Sequence, residues 1–176
     1  MIYVLLTDGF EEIEALTPVD VLKRCGGEVV TVGVSGKRVV GAHNIPVEAD
    51  ILLGDVVPEK MQMLILPGGP GYTGLKCDGD FELINYANSN GICIGSICAA
   101  PSVPGEMGLL SGRRATCFPG FEQFLKGATV LADKVVHDGN FITAKGAGAA
   151  GEFSFELAAV LFGKDKADEI KNAMQY

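Results

Sequence analysis

Histidine is scarce in this sequence: His43 and His137 are the only two among 176 residues. Neither stands beside a cysteine, so a protease-like thiolate–imidazole dyad has little support. The five cysteines (Cys25, Cys77, Cys93, Cys98 and Cys117) form no C-x-x-C pair. With two distant histidines they offer no metal-ligand spacing, and neither a metal nor a cofactor is expected. No lysine–arginine cluster interrupts a chain whose net charge is −8, which argues against nucleic acid or an anionic membrane surface as partners. No apolar run is long enough to span a bilayer. The opening Met1-Ile-Tyr-Val-Leu-Leu-Thr-Asp lacks a basic region and reads as a strand rather than a signal peptide. Unpaired thiols without such a signal fit the reducing cytoplasm.

What is present is apolar and glycine-rich: 48% hydrophobic residues and 24 glycines, without a low-complexity run, linker or internal repeat. One folded domain over 1–176 is expected. Residues 2–7, 28–34, 63–66 and 91–97 read as buried strands, with further strands at 38–40, 45–48, 113–117 and 141–144. Asp8 with Glu11 suggests a capping box for a short helix at 10–16. Pro18 then predicts a break, with Thr17 capping a second helix that Cys25 closes and Gly26 terminates. Further helices are expected at 80–89, from Cys98 to about Met107 with a distortion at Pro104, at 120–125, 152–162 and 165–174. Asp138-Gly139 reads as a two-residue hairpin turn. Strands alternating with helices predict an α/β fold whose mostly parallel sheet is covered on both faces. Ligands of such folds bind at the carboxyl edge of the sheet. The loops 8–14, 67–71 and 146–151 would share that edge with Cys98.

The stretch from Gly91 to Ser102 carries the sharpest signal. An apolar run ends at Cys98 between the small residues Ser96 and Ala100, with Pro101 following. That is the logic of a nucleophile elbow, in which a tight strand-to-helix turn presents one side chain. A helix start there would favour a thiolate, although a small buried cysteine is the bland alternative. Glu14, last of the acids Glu11, Glu12 and Glu14, could point inward, stay protonated and share a proton with Cys98. The Gly-Gly pair at 68–69 lacks a dinucleotide or phosphate-loop spacing, but a Gly69 N–H could serve an oxyanion hole. His43 lies on an irregular stretch that could reach the pocket, and His137 reads as exposed and inert.

Taken together, Asp8-Gly-Phe-Glu-Glu-Ile-Glu14, Pro18 through Gly26, Leu66-Pro-Gly-Gly69, Ile97-Cys-Ala-Ala-Pro101 and Phe155-Glu-Leu-Ala158 resemble blocks of the ThiJ/PfpI superfamily. The likeness spans nearly the whole chain and points to the branch of the parkinsonism-associated deglycase and its bacterial relatives. It implies a flavodoxin-like three-layer sandwich, a homodimer, a reactive Cys98 with a protonated Glu14, and backbone donors at Gly69 and Ala99. The chain departs from the family in two places. Ala99 stands where the peptidase branch has histidine, and Phe118 stands where the human-like branch has one. His43 is a candidate substitute, and Cys117 a candidate resolving thiol for an oxidised Cys98. The resemblance implies glyoxalase- or deglycase-like action on a small reactive carbonyl, with peroxide sensing at the same cysteine. Alternatives are a non-catalytic redox sensor, a stress-response or chaperone-like dimer, and a peptidase-like hydrolase disfavoured by Ala99.

Overall fold

A computed structural model describes residues 1–176. Strand β1 (Ile2–Leu6) is buried along its whole length, as a strand covered on both faces must be. Helix α1 (Glu12–Arg24) follows, then β2 (Val29–Gly33). Strands β3 (Arg38–Val40) and β4 (Pro46–Glu48) form a separate antiparallel hairpin, and β5 (Ile51–Leu52) edges the main sheet. Strand β6 (Met63–Leu66), helix α2 (Asp78–Ser89), strand β7 (Cys93–Ile97) and the short helix α3 (Ser102–Glu106) make up the middle of the chain. Two-residue strands β8 (Arg114–Ala115) and β9 (Thr129–Val130) pair with each other. Strands β10 (Val135–Asp138) and β11 (Phe141–Ala144) precede helices α4 (Ala150–Phe162) and α5 (Lys164–Ala173).

The seven-stranded sheet runs β10-β11-β7-β6-β1-β2-β5. Every pairing is parallel except β10 with β11. Side-chain alternation divides the core. Ile2, Val4 and Leu6 pack with Val21 and Leu22 of α1 and Phe153 and Leu157 of α4. Tyr3 and Leu5 pack on the other face with Ile84 of α2 and Val103 of α3. The result is a flavodoxin-like three-layer sandwich.

Several local expectations are overturned. α1 is one continuous helix: Pro18 sits inside it and Thr17 is not a cap. Proline removes the bond from position 18 to the Glu14 carbonyl, a cost of about 3 kcal/mol. Burial of Ala15, Pro18, Val21 and Leu22 on one face offsets that cost. Asp8 does not cap the helix, because its Oδ1 accepts the Val40 N–H at 2.8 Å. The carboxyl end is as expected, with Cys25 as C-cap and Gly26 at φ 90°. Helix α3 starts at Ser102, later than the elbow suggested, and the interval from Cys98 is a turn. It is over at Glu106, two residues past Pro104. The β10–β11 turn is Gly139-Asn140, because Asp138 pairs with Phe141. Gly139, at φ 62°, takes the first turn position, the type II′ pattern.

Candidate active site

The sheet order brings three loops together. β7, β6 and β1 are neighbours, so the segments leaving their carboxyl ends are neighbours too: Cys98 after β7, Gly68 and Gly69 after β6, and α1 after β1.

Cys98 is one of three non-glycine residues with positive φ, at 64°. That conformation costs an L-residue about 1–2 kcal/mol. It is clamped: the Cys98 N–H donates to the Ala144 carbonyl at 2.9 Å, and the Cys98 carbonyl accepts the Phe118 N–H at 2.8 Å. The side chain is half-buried. The Gly69 and Ala99 N–H groups and the Glu14 carboxyl are in hydrogen-bonding reach of the sulfur.

Glu14 is 1% exposed, in the first turn of α1. Its Oε2 accepts the Gly68 N–H at 3.0 Å, while its Oε1 has no partner. Burial raises its carboxyl to about 7, against the lowering effects of Cys98 and the Gly68 N–H, and the Glu11 charge pushes further up. Cys98 is pushed up to about 12, first by burial and then by the Glu14 carboxylate, with the Gly69 and Ala99 N–H groups opposing. The sequence suggested a thiol lowered by a helix start, and burial reverses that direction. A helix of five residues beginning at Ser102 supplies little dipole at Cys98. The two groups are best treated as one unit that shares a proton: protonating Glu14 removes the second-largest force holding Cys98 neutral.

Gly68 is the residue that permits this contact. A Cβ there would lie 2.6 Å from the Cys98 Cβ and 2.7 Å from the Glu14 Oε2. Gly69, at φ 93°, turns the chain against Gly9 and Glu11, where a Cβ would fall 2.5 Å from the Glu11 nitrogen. The sequence flagged Gly69 as a donor and passed over Gly68. The run of glycines was the only signal of close backbone approach.

The remaining candidates are placed as follows. His43 is turned to the start of α1: its Nδ1 lies 2.8 Å from Glu12 Oε2 and 3.8 Å from Glu11 Oε1, and its N–H donates to Glu12. It is exposed, and Glu12 and Glu11 raise its pKa. His137 lies 2.9 Å from Glu156 at the far end of β10. Cys117 is buried in the core on the α2–α3 face, whereas Cys98 packs against the α1–α4 face. Phe118 is exposed and its ring abuts Gly146. A cavity of about 460 Å³ opens there, lined by Phe118, Pro119, Lys134, Lys145 and the segment from Gly146 to Ala149. Glu11, Glu12 and His43 could each offer a ligand atom to a cation. Hydrogen bonds already join His43 to Glu12.

Comparison with known proteins gives consistent answers. A family model described as the DJ-1/PfpI family matches residues 1–160. Protein DJ-1 homolog A of Arabidopsis thaliana is 37% identical over 96% of this chain. The chain spans 45% and 39% of the lengths of that protein and of homolog B. A glutathione-independent glyoxalase of Caenorhabditis elegans is 34% identical over 91% of this chain and 87% of its own length. A deglycase of Pyrococcus abyssi is 30% identical over 82% and 89%. Among solved structures, Drosophila melanogaster DJ-1beta has a TM-score of 0.94 at 34% identity, covering 98% of this chain and 96% of its own. Oxidised Toxoplasma gondii DJ-1 reaches 0.95 at 30% identity, covering 99% and 97%.

Proposed function

The chain belongs to the DJ-1/PfpI family, and from that premise we propose that it is a cysteine-dependent enzyme acting on small reactive carbonyls, in the manner of a glyoxalase or deglycase. The observation that carries the reading is the Cys98–Glu14 pair, a strained thiol and a buried carboxyl with one unpartnered oxygen. In the proposed first step Cys98 Sγ forms a bond to an aldehyde carbon, and the carbonyl electron pair moves onto oxygen. The thiol proton passes to Glu14, whose raised pKa suits it to hold a proton near neutrality. The Gly69 and Ala99 N–H groups that face the sulfur stabilise the alkoxide forming beside it. With a 2-oxoaldehyde, Glu14 returns that proton to the alkoxide, leaving a neutral hemithioacetal. The freed carboxylate then takes the proton of the attacked carbon and delivers it to the adjacent carbon, whose carbonyl becomes a hydroxyl as the attacked carbon becomes a thioester. One carbon is oxidised as its neighbour is reduced, and water cleaves the thioester to release a 2-hydroxy acid. No step uses an imidazole, so Phe118 does not obstruct it.

A second reading, oxidation of the same thiol, draws support from the half-buried Cys98 and its backbone donors. Two copies of the chain would fit the apolar groove along α1, where Ile13 and Leu16 are exposed beside Met174 and Tyr176. Five free cysteines suit a cytoplasmic site. No helix is long and apolar enough to cross a membrane.

Methylglyoxal consumption by the wild type, Cys98→Ser and Glu14→Gln tests the enzyme reading. Turnover lost in both variants supports it. Turnover absent from the wild type, or retained in Cys98→Ser, overturns it.

A further inference from the structure

The carbonyl reading leaves open what else the substrate carries, and the cavity beside Glu14 bears on that question. Its floor is the segment from Gly146 to Ala149, which leads into α4. A Cβ on Gly146 would lie 3.3 Å from the Phe118 ring and 3.9 Å from Glu14 Oε1. The cavity wall therefore adjoins the unpartnered oxygen of a side chain that is 1% exposed. Neither Glu14 nor Cys98 lines the cavity; Gly146 stands between it and that oxygen, and the Cys98 sulfur is the other group in reach of the same carboxyl.

Three further observations give a ligand of this cavity its charge. Helix α4 has 13 residues, and its N-cap is Ala149, which makes no side-chain cap. A 3-10 turn, Ala147–Ala149, runs straight into α4 and takes up its first N–H groups: Ala149 donates to the Gly146 carbonyl at 2.7 Å and Ala150 to that of Ala147. The helix start therefore offers a ligand only the positive end of its dipole. Lys145 directly follows Ala144, the residue that holds the Cys98 N–H, and lines the cavity half-buried. Its ammonium reaches only the Ala132 carbonyl, at 3.4 Å, and forms no ion pair with a carboxylate, unlike Lys134, which Glu152 occupies at 2.7 Å. In a chain with 22 acidic residues against 14 basic ones, a cavity-lining lysine without an acid partner stands out.

We propose that this cavity receives a carboxylate carried by the substrate, so that the site selects 2-oxoaldehydes with an acidic tail, and that Lys145 is the residue that sets the preference. The inference rests on the reading of Cys98 as the carbonyl-attacking thiol. The aldehyde end meets Cys98, Glu14 bonds the neighbouring oxygen, and the tail lies between the Phe118 ring and the start of α4.

The test uses two alkylating probes of the same reactive group, iodoacetate (anionic) and iodoacetamide (neutral), with Cys98 modification followed by peptide mass spectrometry. The expected result is that Lys145→Met lowers the iodoacetate-to-iodoacetamide rate ratio by about five-fold, the size of a lost charge contact at a half-buried site. Lys145→Arg keeps the ratio, and added salt lowers it in the wild type. In turnover, a 2-oxoaldehyde ending in a propanoate arm binds more weakly to Lys145→Met, its KM rising relative to that for methylglyoxal. An unchanged ratio in Lys145→Met together with a salt-independent wild type overturns the anion preference alone. Failure of both probes to modify Cys98 in the folded protein overturns the thiol reading, and this inference with it. Should Lys145→Met not fold, the salt dependence in the wild type and the Lys145→Arg ratio decide.

Discussion

Replacing Glu14 by glutamine should make the protein more stable at alkaline pH and leave it unchanged in acid. In the native state burial lifts the Glu14 carboxyl from 4.5 to about 7. Between those values the folded chain retains a proton that the unfolded chain has released. Stability conferred by the neutral carboxyl is thus complete below about pH 4.5 and is lost as pH rises through about 7. At about 1.4 kcal/mol per unit, the loss is roughly 3 kcal/mol. Glutamine is neutral throughout, and its carbonyl still accepts the Gly68 N–H. The difference in unfolding free energy between Glu14→Gln and the wild type should therefore grow from near zero at pH 4.5 to roughly 3 kcal/mol at pH 8. Urea unfolding at half-unit pH intervals measures it, with the slope of each transition checked for constancy. The same substitution removes the carboxylate that holds Cys98 neutral, so iodoacetamide should alkylate Cys98 faster above pH 7 even as carbonyl turnover falls. A stability difference that is flat across the window would refute the buried-carboxyl argument. Slower alkylation above pH 7 would refute the shared proton.

Cys98→Gly should be more stable than Cys98→Ala by about 1 kcal/mol, because glycine adopts a φ of 64° without strain; thermal denaturation of the pair decides. Gly68→Ala should cost about 1–3 kcal/mol and abolish Cys98 alkylation, since its Cβ would fall 2.6 Å from that of Cys98. A variant with wild-type reactivity would contradict the close contact. His43→Ala should leave methylglyoxal turnover intact, as its ring is taken up by Glu12, and loss of turnover would return His43 to the mechanism. Peroxide treatment should oxidise Cys98 without linking it to Cys117, which packs on the other face of the sheet; non-reducing peptide mapping would reveal any such bond.

Much of this was legible in the sequence where local rules and the fold agree. Continuous apolar strands bounded by glycine located the sheet, and small residues around Cys98 announced a tight turn that the positive φ bears out. Pro18 misled because an interior proline is judged by its lost hydrogen bond, while the offsetting burial of α1 comes from residues distant in the chain. The hairpin turn was misplaced by one residue because Asp138-Gly139 and Gly139-Asn140 are both good turn pairs, and only the pairing of Asp138 with Phe141 separates them. The direction of the Cys98 shift could not be read at all. It is set by how much water remains around the sulfur, a property of the packed sandwich rather than of its neighbours in sequence.

The order in which the sheet lays β7, β6 and β1 side by side has a consequence for how the protein acquires its chemistry. The thiol, the glycines and the carboxyl meet only after strands far apart in sequence have found their parallel partners, the slow part of folding for such a topology. A chain still being made, or one in which α1 has come away, holds an ordinary cysteine and an ordinary glutamate. Reactivity is therefore assembled late and lost early, and the titration of one sulfur reports whether the whole sheet has closed.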